Sequence, residues 1–372
     1  MIERFSIVYR IAGTEIEAYA RTKDLCLEQT VEFPIELLPS GLIQDHVVGQ
    51  IIDFVADGPT SYKATISFAV ETAANELTQL LNVIFGNISI KPGYRVEEIK
   101  LPDSLIRLLK GPRYGRTGLR ELVDVPQRPL LFTALKPMGL SSEKLAELAY
   151  QFALGGIDII KDDHGLTNQS FAPFEERVRL CATAVERANR ETGQKCIYVA
   201  NITAPHNEVV SRARYAKENG AKGLLLAPGL VGFDTMRFLA EDDTIALPIF
   251  SHPAFLGSYV LGSDNGISHF ALFGQLMRLA GADGTIYPNY GGRFSFSREE
   301  CQSIVKGTTA IMGNLKTSFP CPGGGMSISN IPDMIQVYGS DVIFLVGGGL
   351  FKQGPNLIDN CHYFRSLVEV VS

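Results

Sequence analysis

The stretch GGIDIIKDDHGL, residues 155–166, runs apolar and then sets Lys161, Asp162, Asp163 and His164 side by side. An ammonium, two carboxylates and an imidazole together suit either a salt-bridged strand end or an acid–base and metal site. Alternation along a strand separates Asp162 from Lys161 and Asp163 only approximately, because the loop begins here; if Lys161 and Asp163 share the inward direction, they meet. Asp163 offers a hard oxygen to Mg²⁺, whereas the imidazole of His164 suits softer metals better. Lys161 becomes a metal ligand only as the carbamate it forms with CO₂. Lys136, in FTALKPMG, is either a proton shuttle with a pKa lowered by burial and nearby cations, or a phosphate-pairing cation. His252, in IFSHPAF, is a second acid–base group or a donor to a substrate oxygen.

These residues need a frame that gathers them. After LVDVPQRP, whose prolines suit a linker, short apolar runs alternate with helix-like segments. The runs are PLLFTALK, GIDIIKD, KCIYVAN, KGLLLAP, LPIFSH, DGTIYPN, KTSFPCP and DVIFLVGGG. Near-continuous apolar runs are what buried parallel strands require. Eight strand–helix units predict a (β/α)8 TIM barrel, with its chemistry at the C-terminal strand ends; a doubly wound open sheet is the second reading. In the barrel, Lys136 ends strand one, Lys161 to His164 strand two, Asn201 strand three and His252 strand five. Asn289 ends strand six with Arg293 following, and both join Asn201 as candidate substrate contacts.

Strands seven and eight run into Gly323, Gly324, Gly325 and Gly347, Gly348, Gly349. One such triplet reads equally well as a tight turn. Two in adjacent barrel loops favour a phosphate site, where backbone N–H groups converge on an anion. Up to about Thr117 the rhythm is different: RFSIVYRIAG and YKATISFAVE alternate as strands do, while KDLCLEQTV and ETAANELTQLLNVIF favour helix. The organisation expected is an N-terminal α+β, ferredoxin-like domain over residues 1–117, then a barrel with a C-terminal helix over residues 118–372.

Net charge is −6 and the isoelectric point is near 5.6. That balance leaves no basic footprint for nucleic acid, so a phosphorylated substrate must be met by local donors. No run of about 18 apolar residues predicts a membrane span, and MIERFSIVYRIAGTE lacks the signal-peptide pattern. The six cysteines stand singly, which fits a reduced cytoplasmic setting. Only Cys321, beside a glycine triplet, lies near the candidate site.

KPMGLS, GGIDIIKDDHG, NIT at 201–203, and the PGGG and VGGG runs together resemble the large subunit of RuBisCO over nearly the whole chain. The resemblance implies head-to-tail homodimers in which the N-terminal domain of one protomer completes the barrel site of the other. It brings Glu28 and Asn87 to the partner's site. It makes Lys136 the lysine of enolisation, Lys161 the carbamylated lysine, Asp163 a Mg²⁺ ligand and His252 an active-site histidine. The glycine triplets match its phosphate loops.

The departures are as informative. Met138 stands where the family has a second lysine, His164 where a glutamate completes the metal site, and Pro253 where an arginine follows the histidine. Strand six reads IYPNYGG without the expected histidine, and the lysine-bearing loop after it is shortened to GGRFS. Carboxylation of ribulose bisphosphate is therefore not expected, while enolisation and one phosphate site survive. Among RuBisCO-like proteins, the short chain and KDDHG look closest to the branch that isomerises 5-methylthioribulose 1-phosphate in methionine salvage. The other readings are a 2,3-diketo-5-methylthiopentyl-1-phosphate enolase, which carries a lysine where Asn87 stands, an oxo-sugar-phosphate decarboxylase, and a non-catalytic sugar-phosphate sensor. In the isomerase reading Lys136 removes a proton α to the carbonyl, and any Mg²⁺ is held by carbamylated Lys161 and Asp163, with His164 as the third candidate.

Overall fold

The computed structural model of the protein describes residues 2–369. They form two compact units, of which the first holds the described residues up to Leu109 together with Leu256–Leu276 and Ala310–Leu315. Its sheet is centred on Arg4–Ala12, antiparallel to Ser61–Ala69 on one side and to Tyr94–Lys100 on the other. Gln50–Gly58 extends one edge, and the short strand Gly266–Ile267 extends the other in parallel. Alternation in Arg4–Ala12 buries Phe5, Ile7, Tyr9 and Ile11 on one face. The helix Glu15–Glu28 starts at Thr14, whose backbone N–H donates to Glu17 Oε2 at 2.9 Å. The single helix expected over ETAANELTQLLNVIF is broken instead. A 3₁₀ turn, Val70–Ala73, precedes the helix Leu77–Phe85, and Ala74 and Asn75 between them have φ of 50° and 58°, outside helical geometry.

The second unit is the barrel. Its eight strands are Leu130–Leu135, Ile159–Asp162, Ile197–Asn201, Gly223–Leu226, Ile249–Ser251, Gly284–Pro288, Phe319–Gly323 and Ile343–Leu345. All the recorded pairings are parallel, and the ladder runs seven-six-five-four-three-two-one-eight. Strands seven and eight lie side by side, Gly323 against Leu345, and close the ring. The fold thus comprises the expected (β/α)8 barrel and a separate sheet unit.

The interior follows from parity. Phe132, Ile159, Val199, Leu225, Phe250, Ile286 and Cys321 form one buried cluster, so side chains in step with them point inward. Cys321 is a core residue in this layer. At the N-terminal end the helix Gly115–Val123 adds Leu119 and Val123 to the same cluster. Asp283 holds that end by accepting the N–H groups of Tyr114, Gly115 and Ile249. Arg128 and Asp158, both buried, pair through two contacts of 2.7 and 2.8 Å just before strands one and two.

Candidate active site

Two residues beyond the inward-facing Ala134, Ile159 and Phe250, parity delivers Lys136, Lys161 and His252 to the C-terminal mouth, and Asp163 follows Lys161 at the same spacing. Asp162 falls on the opposite face. Its Oδ1 accepts the Tyr198 hydroxyl at 2.7 Å; its Oδ2 accepts the Asn201 backbone N–H at 3.0 Å and Arg177 Nε at 3.2 Å. Adjacent carboxylates thus do different work. Asp162 ties the barrel to the helix Phe174–Thr192, and Asp163 faces the mouth.

Asp163 Oδ1 lies 2.7 Å from Lys136 Nζ and 3.3 Å from His164 Nδ1. Burial alone would raise the Asp163 pKa. Hydrogen bonding from His164 and the charges of Lys161 and Lys136 outweigh burial and hold the carboxyl well below the usual range. As a carboxylate it only accepts, so His164 Nδ1 carries the proton and Nε2 faces away from the bond. The rings of His164 and His252 stack with centroids 4.3 Å apart and planes 9° apart. Burial, then the nearby Lys161, pushes His252 well below its ordinary value, so it is neutral at pH 7. The Ala254 backbone N–H donates to His252 Nδ1 at 3.2 Å. That bond leaves the proton on Nε2, and His252 presents an uncharged donor.

Lys161 is 2% exposed, with Nζ donating to the Asp162 carbonyl at 3.0 Å. Burial lowers its pKa to about 8, helped by Lys136 and opposed by Asp163 and Asp162. Between about 8 and the ordinary 10.5 the unfolded chain holds a proton that the folded chain lacks. Stability therefore rises with pH in that window, by at most about 1.4 kcal/mol per unit. We expect the urea midpoint to climb between pH 8 and pH 10 more steeply in the wild type than in Lys161→Met; identical slopes would refute a lowered Lys161.

The glycine triplets sit on the neighbouring loops. Gly324 and Gly325 have φ of 81° and 95°, a region open to glycine, and the Gly324 carbonyl accepts the Arg293 N–H at 3.3 Å. A Cβ on Gly349 would stand 2.7 Å from the Met326 carbonyl, so the loops after strands seven and eight approach closely only without one. Gly347 lies under the Lys136 stem, its built Cβ 3.8 Å from Cδ and Cε, while Gly348 is exposed beside it. Arg293 is exposed, with its guanidinium over the Phe294 ring at 5.0 Å.

Asn201 and Asn289 lie at the mouth but are buried and internally bonded. Asn201 Nδ2 donates to the His164 and Leu166 carbonyls, at 3.0 and 2.8 Å, and so holds the loop after strand two. Asn289 accepts the Tyr338 hydroxyl at 2.6 Å and donates to the Tyr290 carbonyl at 2.8 Å. Glu28 and Asn87 belong to the first unit, where Asn87 Nδ2 donates to Glu28 Oε1 at 3.1 Å. Lys91, which sequence reasoning missed, bridges Glu28 and Asp24 there. Arg177 was missed as well. Its signal was an arginine at helical spacing among Phe174, Val178 and Cys181 on a buried stripe.

A parallel eight-stranded barrel with lysines, a carboxylate and imidazoles gathered at its C-terminal mouth defines the class of TIM-barrel enzymes. Residues 116–354 match the ribulose bisphosphate carboxylase large chain, catalytic domain. The chain belongs to the RuBisCO large-chain family, and RuBisCO-like proteins are among its relatives. The 5-methylthioribulose-1-phosphate isomerase of Rhodospirillum rubrum is 36% identical over 99% of this chain and 97% of its own. A 2,3-diketo-5-methylthiopentyl-1-phosphate enolase of Bacillus licheniformis is 32% identical over 98% and 91%. The crystal structure of a Rubisco-like protein from Rhodopseudomonas palustris superimposes with a TM-score of 0.90 at 34% identity, covering 99% of this chain and 98% of that one. This protein, like those named relatives, is an enzyme.

Proposed function

We propose that the protein isomerises 5-methylthioribulose 1-phosphate, in methionine salvage, by a 1,3-proton transfer through an enediolate. The observation that carries this reading is the near end-to-end match with the isomerase of that substrate. The mouth supplies chemistry to fit. Lys136, beside Asp163 and the Gly347 loop, acts in its neutral form as the base that removes the proton α to the carbonyl, and the ammonium so formed returns that proton to the other carbon of the enediolate. His252 donates from Nε2 to the developing oxyanion, as an uncharged donor that need not be deprotonated to do so. The glycine triplets, with Arg293, hold the phosphate; Asn201 and Asn289 fix the loops around it.

Among the described residues no three His, Cys, Asp or Glu side chains converge as a metal would require. A divalent ion such as Mg²⁺ at Asp163 therefore needs the carbamate of Lys161, and His164 is the remaining candidate ligand. Lys161 fits this role because a lowered pKa provides the neutral amine that CO₂ requires. When bound, the ion supplies positive charge that favours the enediolate. We further propose that the enzyme is a cytoplasmic homodimer in which Glu28 and Asn87 of one protomer complete the mouth of the other.

The second reading, the diketone enolase, rests on relatives of that name at 31–34% identity. Proton NMR in D₂O with 5-methylthioribulose 1-phosphate, with and without Mg²⁺ and bicarbonate, tests the proposal. The expected result is a new isomer with exchange of specific C–H protons. No exchange with this substrate, together with enolisation of the diketone, would replace the isomerase by the enolase.

A further inference from the structure

Two large apolar side chains stand exposed at the mouth: Met138, 51% exposed, and Phe255, 74% exposed. Met138 follows Lys136 by two residues, and its Cε lies across Gly165. A Cβ on Gly165 would collide with that methyl and would stand 3.9 Å from Asp163 Oδ2. The end of the Met138 side chain therefore rests beside the reacting centre, where a Cβ on residue 165 would displace it.

Phe255 follows Ala254, whose N–H fixes the tautomer of His252. Its φ is 71°, in the left-handed region that a bulky residue rarely enters. A ring this exposed gains little from burial, and backbone outliers of this kind cluster at functional sites. The stacked imidazoles bring the loops after strands two and five together, so Met138, seated on Gly165 next to His164, and Phe255, three residues after His252, stand on neighbouring parts of the rim.

We propose that Met138, seated on Gly165, and Phe255 form an apolar subsite for the unphosphorylated end of the substrate. It selects a ketose monophosphate ending in a thioether over one ending in a hydroxyl or a second phosphate. This inference rests on the isomerase reading and adds to it the residues that choose the substrate. The phosphate end is held by the glycine loops, so the other end meets these side chains. Met138 and Pro253 give a second phosphate no cation, whereas a methylthio group gains contact with a thioether and an aromatic ring. A small apolar group in such a pocket is worth about 10- to 200-fold in discrimination.

The test compares kcat/KM of the full-length protein for 5-methylthioribulose 1-phosphate and ribulose 1-phosphate, with affinities by calorimetry. The wild type should prefer the thioether by about tenfold or more. Met138→Lys and Phe255→Gly should each reduce that preference to within about threefold, chiefly through KM. Glycine suits the Phe255 backbone, so that variant folds. Gly165→Ala should act like Met138→Lys by displacing the flexible methyl, and adding Met138→Ala should relieve the clash without restoring the preference. A wild type that binds both sugars equally, or variants that leave the ratio unchanged, would overturn the subsite. So would a Phe255→Gly protein that changes only oligomeric state, since the ring would then serve an interface. Binding of neither sugar would instead remove the isomerase reading itself.

Discussion

Replacing Lys136 with alanine should leave a folded protein whose turnover falls by about 10²- to 10⁴-fold, the usual contribution of a positioned acid–base group. Lys136 is about a third exposed, and its ion pair reaches only Asp163 Oδ1, which keeps His164 as a hydrogen-bond donor. The melting temperature should therefore move little, since partly exposed ion pairs contribute about 1 kcal/mol or less. Lys136→Arg separates charge from proton transfer. It keeps a cation on Asp163, but a guanidinium stays protonated and cannot act as the base. Both variants should lose isomerisation and C–H exchange in D₂O together. Turnover in Lys136→Arg within threefold of wild type would leave Lys136 an electrostatic role and require another base.

The second large effect is on stability. Asp162→Ala should destabilise the protein by about 3–5 kcal/mol, because it leaves the Arg177 guanidinium buried opposite nothing that carries charge. Both side chains of that pair are 0% exposed. Arg177 would keep its bonds to the Ala172 and Thr167 carbonyls, which places the loss towards the lower end of the range. The Tyr198 hydroxyl and the Asn201 N–H would lose their acceptor as well. Pairing Asp162→Leu with Arg177→Met should recover most of the loss, as apolar replacements of buried ion pairs often do. Urea unfolding measures both; a cost below about 1 kcal/mol for the single variant would mean that water reaches the guanidinium.

Much of this site was legible in the sequence. Near-continuous apolar runs of strand length marked the barrel, and the period of two put Lys161 and Asp163 on one side of the strand. The task of Asp162 on the opposite face was not legible, because a carboxylate carries no sign of what it will meet there. It depends on where Arg177 and Tyr198 fall, one on a helix and one on the next strand. The break at Ala74 and Asn75 was hidden for a related reason: Asn75 tolerates a positive φ, but Ala74 does not announce one, and most of the flanking residues suit helix. Glu28 and Asn87 were reached through the resemblance alone. Their partner Lys91 carried no signal until the structure brought the three side chains together.

The opposed directions of Asp162 and Asp163 also limit how this chain can change over generations. Insertions after strand two fall in a loop and leave both carboxylates where they are. One residue gained or lost within Ile159–Asp162 would turn the rest of the strand over. Asp162 would then enter the mouth, while Lys161 and Asp163 would be driven among the side chains of the helix layer, so that fold and chemistry would fail in the same step. The loop beyond the strand can thus take substitutions and insertions, but the strand itself must keep its length, and new activities in such a chain arise by substitution and loop growth on one side of that boundary only.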